Sequence, residues 1–250
     1  LIDTMKIEGR LRDTAVGCVF AVEENECAME VMYWDDIAGM PLDVEGVMKA
    51  RREEMEVFRK YGVYDKVKIS ECFEKTGKAP IGVRWVDVNK GDDVNVEYRS
   101  RLVAKEIKKD NRDDLFAATP PLESLRYIIS KCASKQTSGK RFCILSSDIK
   151  RAYFYAKAIR PVYTQIPIED RQPGDEGMVG KLNLSLYGTR DAANNWEGAN
   201  ADFMMENGFH AVRSTPCVFH HHERCLRVVV HGDDFTVLGR AIDLDWFRIR

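Results

Sequence analysis

The run Leu226-Arg227-Val228-Val229-Val230-His231-Gly232-Asp233-Asp234-Phe235-Thr236-Val237-Leu238 constrains this chain more than any other. An apolar, β-branched segment enters, a small and acidic interruption follows, and a second apolar segment leaves. The pattern predicts a β-hairpin with Gly232-Asp233 in its turn. Two adjacent carboxylates therefore sit at the tip of strands apolar enough to be buried. Like charges held close repel and raise each other's pKa, so a fold accommodates them best with a cation between them. The hairpin alone fits a divalent-metal site and a solvated Asp-rich turn equally well.

A third carboxylate distinguishes these readings. Arg141 to Phe154 reads as a short apolar strand ending at Asp148, followed by a segment of helical potential from Lys150 to Ala158. An acid at a strand end beside an Asp-Asp hairpin is the arrangement needed to hold two Mg²⁺ ions ~3.5–4 Å apart for in-line phosphoryl displacement. Hard oxygen ligands select Mg²⁺ or Mn²⁺ over softer metals.

Four blocks in order then carry a resemblance. They are Tyr98-Arg99-Ser100-Arg101-Leu102-Val103-Ala104-Lys105, Asp148 with Tyr153 five residues on, Leu184 to Trp196, and His231-Gly232-Asp233-Asp234. Together they resemble the reverse transcriptase of copia-type LTR retrotransposons, from about Trp85 to Leu238. The resemblance implies an α+β fold of reverse-transcriptase fingers and palm and an RNA-directed DNA polymerase activity. It makes Asp148, Asp233 and Asp234 the catalytic, metal-holding acids for two Mg²⁺ (or Mn²⁺) ions. It makes Lys90, Arg101, Lys105, Tyr153, Gly188 and Arg190 nucleotide-binding residues. Partners implied are an RNA or DNA template with primer, a dNTP, and the rest of a Pol polyprotein (thumb, RNase H, integrase). The implied division is 1–40 unassigned, 41–140 fingers-like and 141–250 palm-like, stopping before the thumb. The start at Leu1 also points to a fragment.

The chain departs from the family pattern in four places. His231-Gly232 stands where an aromatic and an aliphatic residue usually precede the acids. Thr189-Arg190-Asp191 replaces a Leu-Lys-Gln type triplet, Asn194 replaces Pro, and Glu106-Ile107-Lys108-Lys109 replaces a glycine and polar residues. These keep an alternative open: a degenerate or domesticated remnant that binds nucleic acid without polymerising. An unrelated metal-dependent phosphohydrolase would rest on the acids alone.

Composition is that of a globular protein, with 44% hydrophobic and 31% charged residues in 250. No apolar run approaches the ~20 residues of a membrane span, and no charged-then-apolar leader is visible. An intracellular protein, in a cytoplasmic particle or the nucleus, is the expectation. The net charge of −2 argues against indiscriminate nucleic-acid binding, so a local cluster at Arg99, Arg101, Lys105, Lys108 and Lys109 would have to supply the contact. Seven scattered cysteines read as reduced thiols. Cys217-Val218-Phe219-His220-His221-His222-Glu223-Arg224-Cys225 loosely matches a zinc knuckle, but alternation along a strand would splay those ligands to opposite faces.

Further elements follow from local signals. Asp43 caps a helix that Gly62 stops. Its apolar stripe is Val44, Val47, Met48, Met55 and Phe58, with Arg51, Arg52, Glu53 and Glu54 outward. Tyr64–Ile69 reads as a strand, and Val83–Val88 and Val94–Tyr98 as a hairpin about a turn at 89–93. Thr119-Pro120-Pro121 opens a helix buried through Leu122, Leu125, Ile129 and Cys132. The amides of Lys150 to Tyr153, at the start of the helix after Asp148, offer a phosphate contact. Lys181–Tyr187 reads as a strand, and Ala192, Trp196, Ala199 and Phe203 mark a helix ending near Gly208. Residues 242–249 begin another amphipathic pattern.

Overall fold

A computed structural model describes residues 32–92, 94–107, 117–134 and 141–249. In chain order the elements are β1 (Tyr33–Trp34), β2 (Pro41–Leu42), α1 (Val44–Tyr61), β3 (Tyr64–Lys68), α2 (Ile69–Thr76), β4 (Val83–Asn89), β5 (Tyr98–Ala104), α3 (Leu122–Ala133) and β6 (Cys143–Asp148). There follow a 3-10 turn (Ala152–Tyr155), β7 (Tyr163–Thr164), a second 3-10 turn (Ile168–Asp170), β8 (Met178–Leu182), α4 (Ala192–Glu206), β9 (His210–Val212), β10 (Thr215–His221), β11 (Leu226–His231), β12 (Asp234–Gly239) and α5 (Ala241–Arg248). Helix and sheet are mixed, as the sequence implied.

The central sheet has the order β6-β12-β11-β10-β9, every pair antiparallel. Its inner strands β11 and β12 are covered on both faces, which is why their sequence is a near-continuous apolar run. On one face Val228, Val230, Phe235 and Val237 pack with Trp196 and Met204 of α4 and Leu244 of α5. On the other, Val229 and Leu238 pack against Ile128 of α3. A second core, containing Met55, Phe58, Leu102, Phe154 and Leu186, joins α1 to the β4–β5 hairpin and the 3-10 turn. A three-stranded sheet, β3-β8-β7, flanks it.

Helix α1 runs as its caps predict. The Asp43 carboxylate accepts from the Gly46 amide at 2.7 Å, and Gly62 closes the helix at φ 64°. Its faces differ from the expectation. Val44 and Met48 are exposed, whereas Arg51 and Glu54 turn inward. Arg51 pairs with Asp87 at 2.6 Å and Glu169 at 2.9 Å, and lies over the rings of Tyr33 and Trp85. Glu54 pairs with Arg151 at 2.7 Å. Charges enter the buried face because opposite charges from distant segments meet them there, which periodicity cannot register.

Other expectations are corrected in their limits. The strand from Tyr64 stops at Lys68, and Ile69 begins the unanticipated α2. The return strand of the β4–β5 hairpin starts at Tyr98, not Val94, whose side chain is 86% exposed in a longer loop. Helix α3 starts at Leu122 without a side-chain cap. It buries Ile128, while Leu122 and Ile129 face solvent. Strand β8 ends at Leu182. Helix α4 buries Asn195, Asn200 and Met204 beside Ala192 and Trp196, and exposes Phe203. The anticipated helix at 150–158 is only the 3-10 turn Ala152–Tyr155, because Arg151 adopts a left-handed φ of 58°. A helix N-terminus able to receive phosphate is therefore not formed there. The possible strand at 17–22 and the basic residues Lys108 and Lys109 lie outside the described residues.

Candidate functional site

The hairpin turn is the point where local sequence and function meet. His231 pairs with Asp234, leaving Gly232 and Asp233 as a two-residue loop. Gly232 has φ 64° and Asp233 has no positive φ, the dihedral signature of a type II′ turn with glycine first. Glycine before the acids thus has a conformational reason here. The indole Nε1 of Trp196 in α4 donates to the Gly232 carbonyl at 2.8 Å, and the Ile149 amide donates to the Asp233 carbonyl at 2.9 Å. The turn is anchored from both sides.

Strand β6 pairs with β12 in a register that sets Asp148 opposite Asp234. Opposed residues of an antiparallel pair project to the same face, so these two carboxylates emerge together at the strand ends. Asp233, in the turn, faces a different group. Its charge reaches Tyr153 and Tyr187, whose rings lie 4.6 Å apart. Burial raises the phenol pKa of both, and the Asp233 carboxylate raises each further. Arg101 opposes this at Tyr187, with its guanidinium 5.1 Å from the ring centroid. The buried Tyr187 hydroxyl has no hydrogen-bond partner among the described residues.

The structure therefore brings Arg101, Tyr153, Asp233 and the segment ending at Gly188 into one neighbourhood, with Asp148 and Asp234 at the adjoining strand ends. Gly188, at φ 81°, is approached by the β5 backbone: a Cβ there would lie 2.0 Å from the Ala104 carbonyl oxygen. The Ala104 amide donates to the Tyr187 carbonyl at 2.7 Å, fastening this block to the hairpin. The Arg190 amide donates to Glu106, which also pairs with Arg160. The aliphatic end of Lys105 lies against Gly82. Lys90 does not join the group. It sits at the hairpin tip, roughly 13 Å of strand beyond the Val86–Arg101 pair.

Arg99, a member of the basic cluster expected from the sequence, contributes charge at Tyr187. Two contributors escaped the sequence reading. Trp196 reads as core from its helical spacing, and only the fold directs its N–H to the turn. Glu54, from α1, holds Arg151, three residues beyond Asp148, through contacts of 2.7 and 3.1 Å. The segment before α1 also gains a role. Asp35 accepts from the Ile37, Ala38 and Asn89 amides, and Asp36 pairs with Arg84, clipping the base of the chain to the β4–β5 hairpin.

The donor chemistry of the acids fits a hard cation. Asp148, Asp233 and Asp234 carry no ion pair and no side-chain hydrogen bond among the described residues, so three carboxylates at neighbouring strand ends lack a protein counter-charge. Among the described residues no three His, Cys, Asp or Glu side chains already converge on one point. No helix among these residues is long and apolar enough to cross a membrane.

Comparison with known proteins gives the family. Residues 61–245 match the family described as reverse transcriptase (RNA-dependent DNA polymerase). The chain is also 31% identical over 202 residues to the retrovirus-related Pol polyprotein from transposon TNT 1-94 of Nicotiana tabacum. That match covers 78% of this chain and 14% of the tobacco polyprotein. The family match runs from the end of α1 into α5 and includes Asp148, Asp233 and Asp234, and on these two comparisons the chain belongs to the reverse transcriptase (RNA-dependent DNA polymerase) family, of the copia type.

Proposed function

We propose that this chain carries the fingers and palm of an RNA-directed DNA polymerase, in which a primer 3′-OH attacks the α-phosphate of a dNTP and pyrophosphate leaves. The observation that supports this best is the register setting Asp148 opposite Asp234 with Asp233 in the adjoining turn, all three lacking a paired cation among the described residues. These acids would hold two Mg²⁺ or Mn²⁺ ions. Such ions, when bound, lower the pKa of the attacking hydroxyl and neutralise charge on the triphosphate and leaving group.

The chain's own residues supply the rest. Arg101 presents a guanidinium that neutralises phosphate charge. Tyr153 and Tyr187 offer a ring surface for the sugar of the incoming nucleotide, and Gly188 leaves backbone space beside it. Trp196 and Ile149 keep the acidic turn from shifting. Lys105 and Arg190 are assigned to the triphosphate margin of the site, and Lys90, at the hairpin tip, to the template. The β4–β5 hairpin forms the fingers side and the five-stranded sheet the palm.

The test is primer extension on poly(rA)/oligo(dT) with Mg²⁺ or Mn²⁺, using this chain continued through the segment that follows it in its relatives. Extension abolished by both Asp148→Asn and Asp233→Asn supports the assignment. Undiminished extension by Asp233→Asn removes that residue from it. One observation favours a second reading, a duplex-binding remnant: the three carboxylates are not gathered as they stand. Duplex binding without extension by the unsubstituted chain would select it.

A further inference from the structure

The far end of the catalytic hairpin carries a second constellation of ligating side chains. Strands β9 and β10 set His210 directly opposite His220. His222 lies two residues beyond His220, in the turn that follows β10, and its ring comes back beside that of His220. The Nε2 atoms of His220 and His222 are 3.0 Å apart. The His210 ring lies 5.5 Å from that of His220 and 5.7 Å from that of His222, centroid to centroid. His221 points the opposite way, against Phe209 and Trp246. The splaying expected from the sequence therefore separates His221 and Cys217 from this face, but it gathers His220 and His222 on it. The neighbouring strand adds a third imidazole that the linear motif does not contain.

We propose that His210, His220 and His222 form a binding site for a transition-metal dication of the Zn²⁺, Cu²⁺ and Ni²⁺ class. Three arguments carry it. Nitrogen ligands at tetrahedral zinc stand ~2.0–2.1 Å from the metal, and so roughly 3.3 Å from each other. The His220–His222 nitrogens are within a few tenths of an ångström of that spacing. Imidazole prefers these metals over Mg²⁺ and Ca²⁺, so the site is chemically distinct from the acids. The site also has access: His210 and His222 are exposed, and His220 and His222 line an open cleft of about 700 Å³ that also borders Glu123, Tyr127 and Arg227. Its fourth position is free for water.

His210 must turn about its side-chain torsions to complete the set, since no three donors already converge. Its exposure permits this. Arg227, paired opposite His220, is an adverse charge and sets a limit on affinity. The Cys225 thiol donates to the His222 carbonyl at 3.6 Å and is not needed as a ligand. Strand β11 places the site roughly 20 Å from Asp233. A bound ion would tie β9 to the β10–β11 turn without occupying the site of the three acids.

The test is calorimetric titration of the untagged chain with Zn²⁺ and Ni²⁺, together with visible absorption after loading Co²⁺. One ion per chain is expected, with a tetrahedral Co²⁺ spectrum lacking thiolate charge transfer. Outer partners of metal sites are already worth about tenfold to a hundredfold in affinity, so His210→Ala, His220→Ala and His222→Ala are each expected to weaken binding at least about tenfold. Cys225→Ser should leave it unchanged. His210 and His222 are exposed, so circular dichroism of those two apo variants should match the parent and separate ligand loss from unfolding. Absence of stoichiometric binding overturns the proposal, as does binding that His220→Ala and His222→Ala do not weaken. Binding indifferent to His210→Ala, or abolished by Cys225→Ser, overturns the three-imidazole ligand set.

Discussion

Arg151→Met and Glu54→Met break the same ion pair, yet the first is expected to cost much more than the second. Glu54 is 4% exposed, on the inward face of α1, while the Arg151 side chain is 31% exposed. Removing Arg151 leaves a carboxylate inside the protein without its cation. Breaking a buried pair in this way costs about 3–5 kcal/mol. Removing Glu54 leaves a guanidinium that can reach water, and the loss should be about 1–2 kcal/mol. Methionine is unbranched and adaptable at both positions. It carries the same left-handed backbone penalty as arginine at φ 58°, so the backbone contribution cancels. The double variant should be more stable than Arg151→Met alone, giving a coupling of about 2 kcal/mol. Urea unfolding of the parent, both single variants and the double variant measures all four terms. Equal losses from the two single variants would refute the reasoning, and so would a double variant less stable than Arg151→Met. Either result would mean that exposure of the surviving partner does not set the cost.

Gly232→Val, which restores an aliphatic residue before the acids, should lower stability by about 1–2 kcal/mol. A Cβ there meets nothing within 4 Å, so the cost is purely conformational, and an unchanged urea midpoint would exclude the type II′ turn. Trp196→Phe should cost about 1–3 kcal/mol, from the lost hydrogen bond to Gly232 and the smaller ring. It should also speed hydrogen exchange at the turn amides, and unaltered exchange would show that the indole does not anchor the turn. Tyr64 is half-buried and donates to Asp170 at 2.6 Å, and partial burial first, then this carboxylate, raise its pKa. Its contribution to stability is complete below the free tyrosine value of about 10 and declines as pH rises from there toward the folded value. Tyr64→Phe should flatten that alkaline decline in urea unfolding, and an unaltered slope would assign the decline to other groups.

The parts of the fold legible in sequence depend on residues close together along the chain. Asp43 and Gly62 bound α1 because each cap is a local hydrogen-bond or dihedral arrangement. Gly232-Asp233 forms the turn for the same reason. The helix expected after Asp148 failed because its propensity competed with Arg151, whose left-handed backbone is stabilised by Glu54 from 97 positions earlier. The buried faces of α1 and α3 were misjudged because a hydrophobic stripe records polarity alone. Glu54 is buried and Arg51 turned inward through partners the stripe cannot anticipate. In the site, the acids were legible as residue types. The contact between Trp196 and Gly232, 36 positions apart, was not.

The sequence alone determined the acidic hairpin, the order of the motif blocks and the hard-oxygen character of the candidate site, since these follow from residue identity and short-range backbone preference. Only the tertiary structure decided that Asp148 stands opposite Asp234, that Tyr153 and Tyr187 share the field of Asp233, that Lys90 lies apart at the hairpin tip, and that His210 meets His220 and His222. The reason is the two-residue period of a strand. Shifting register by one residue sends a side chain to the opposite face, and register is set by cores and ion pairs assembled from distant segments.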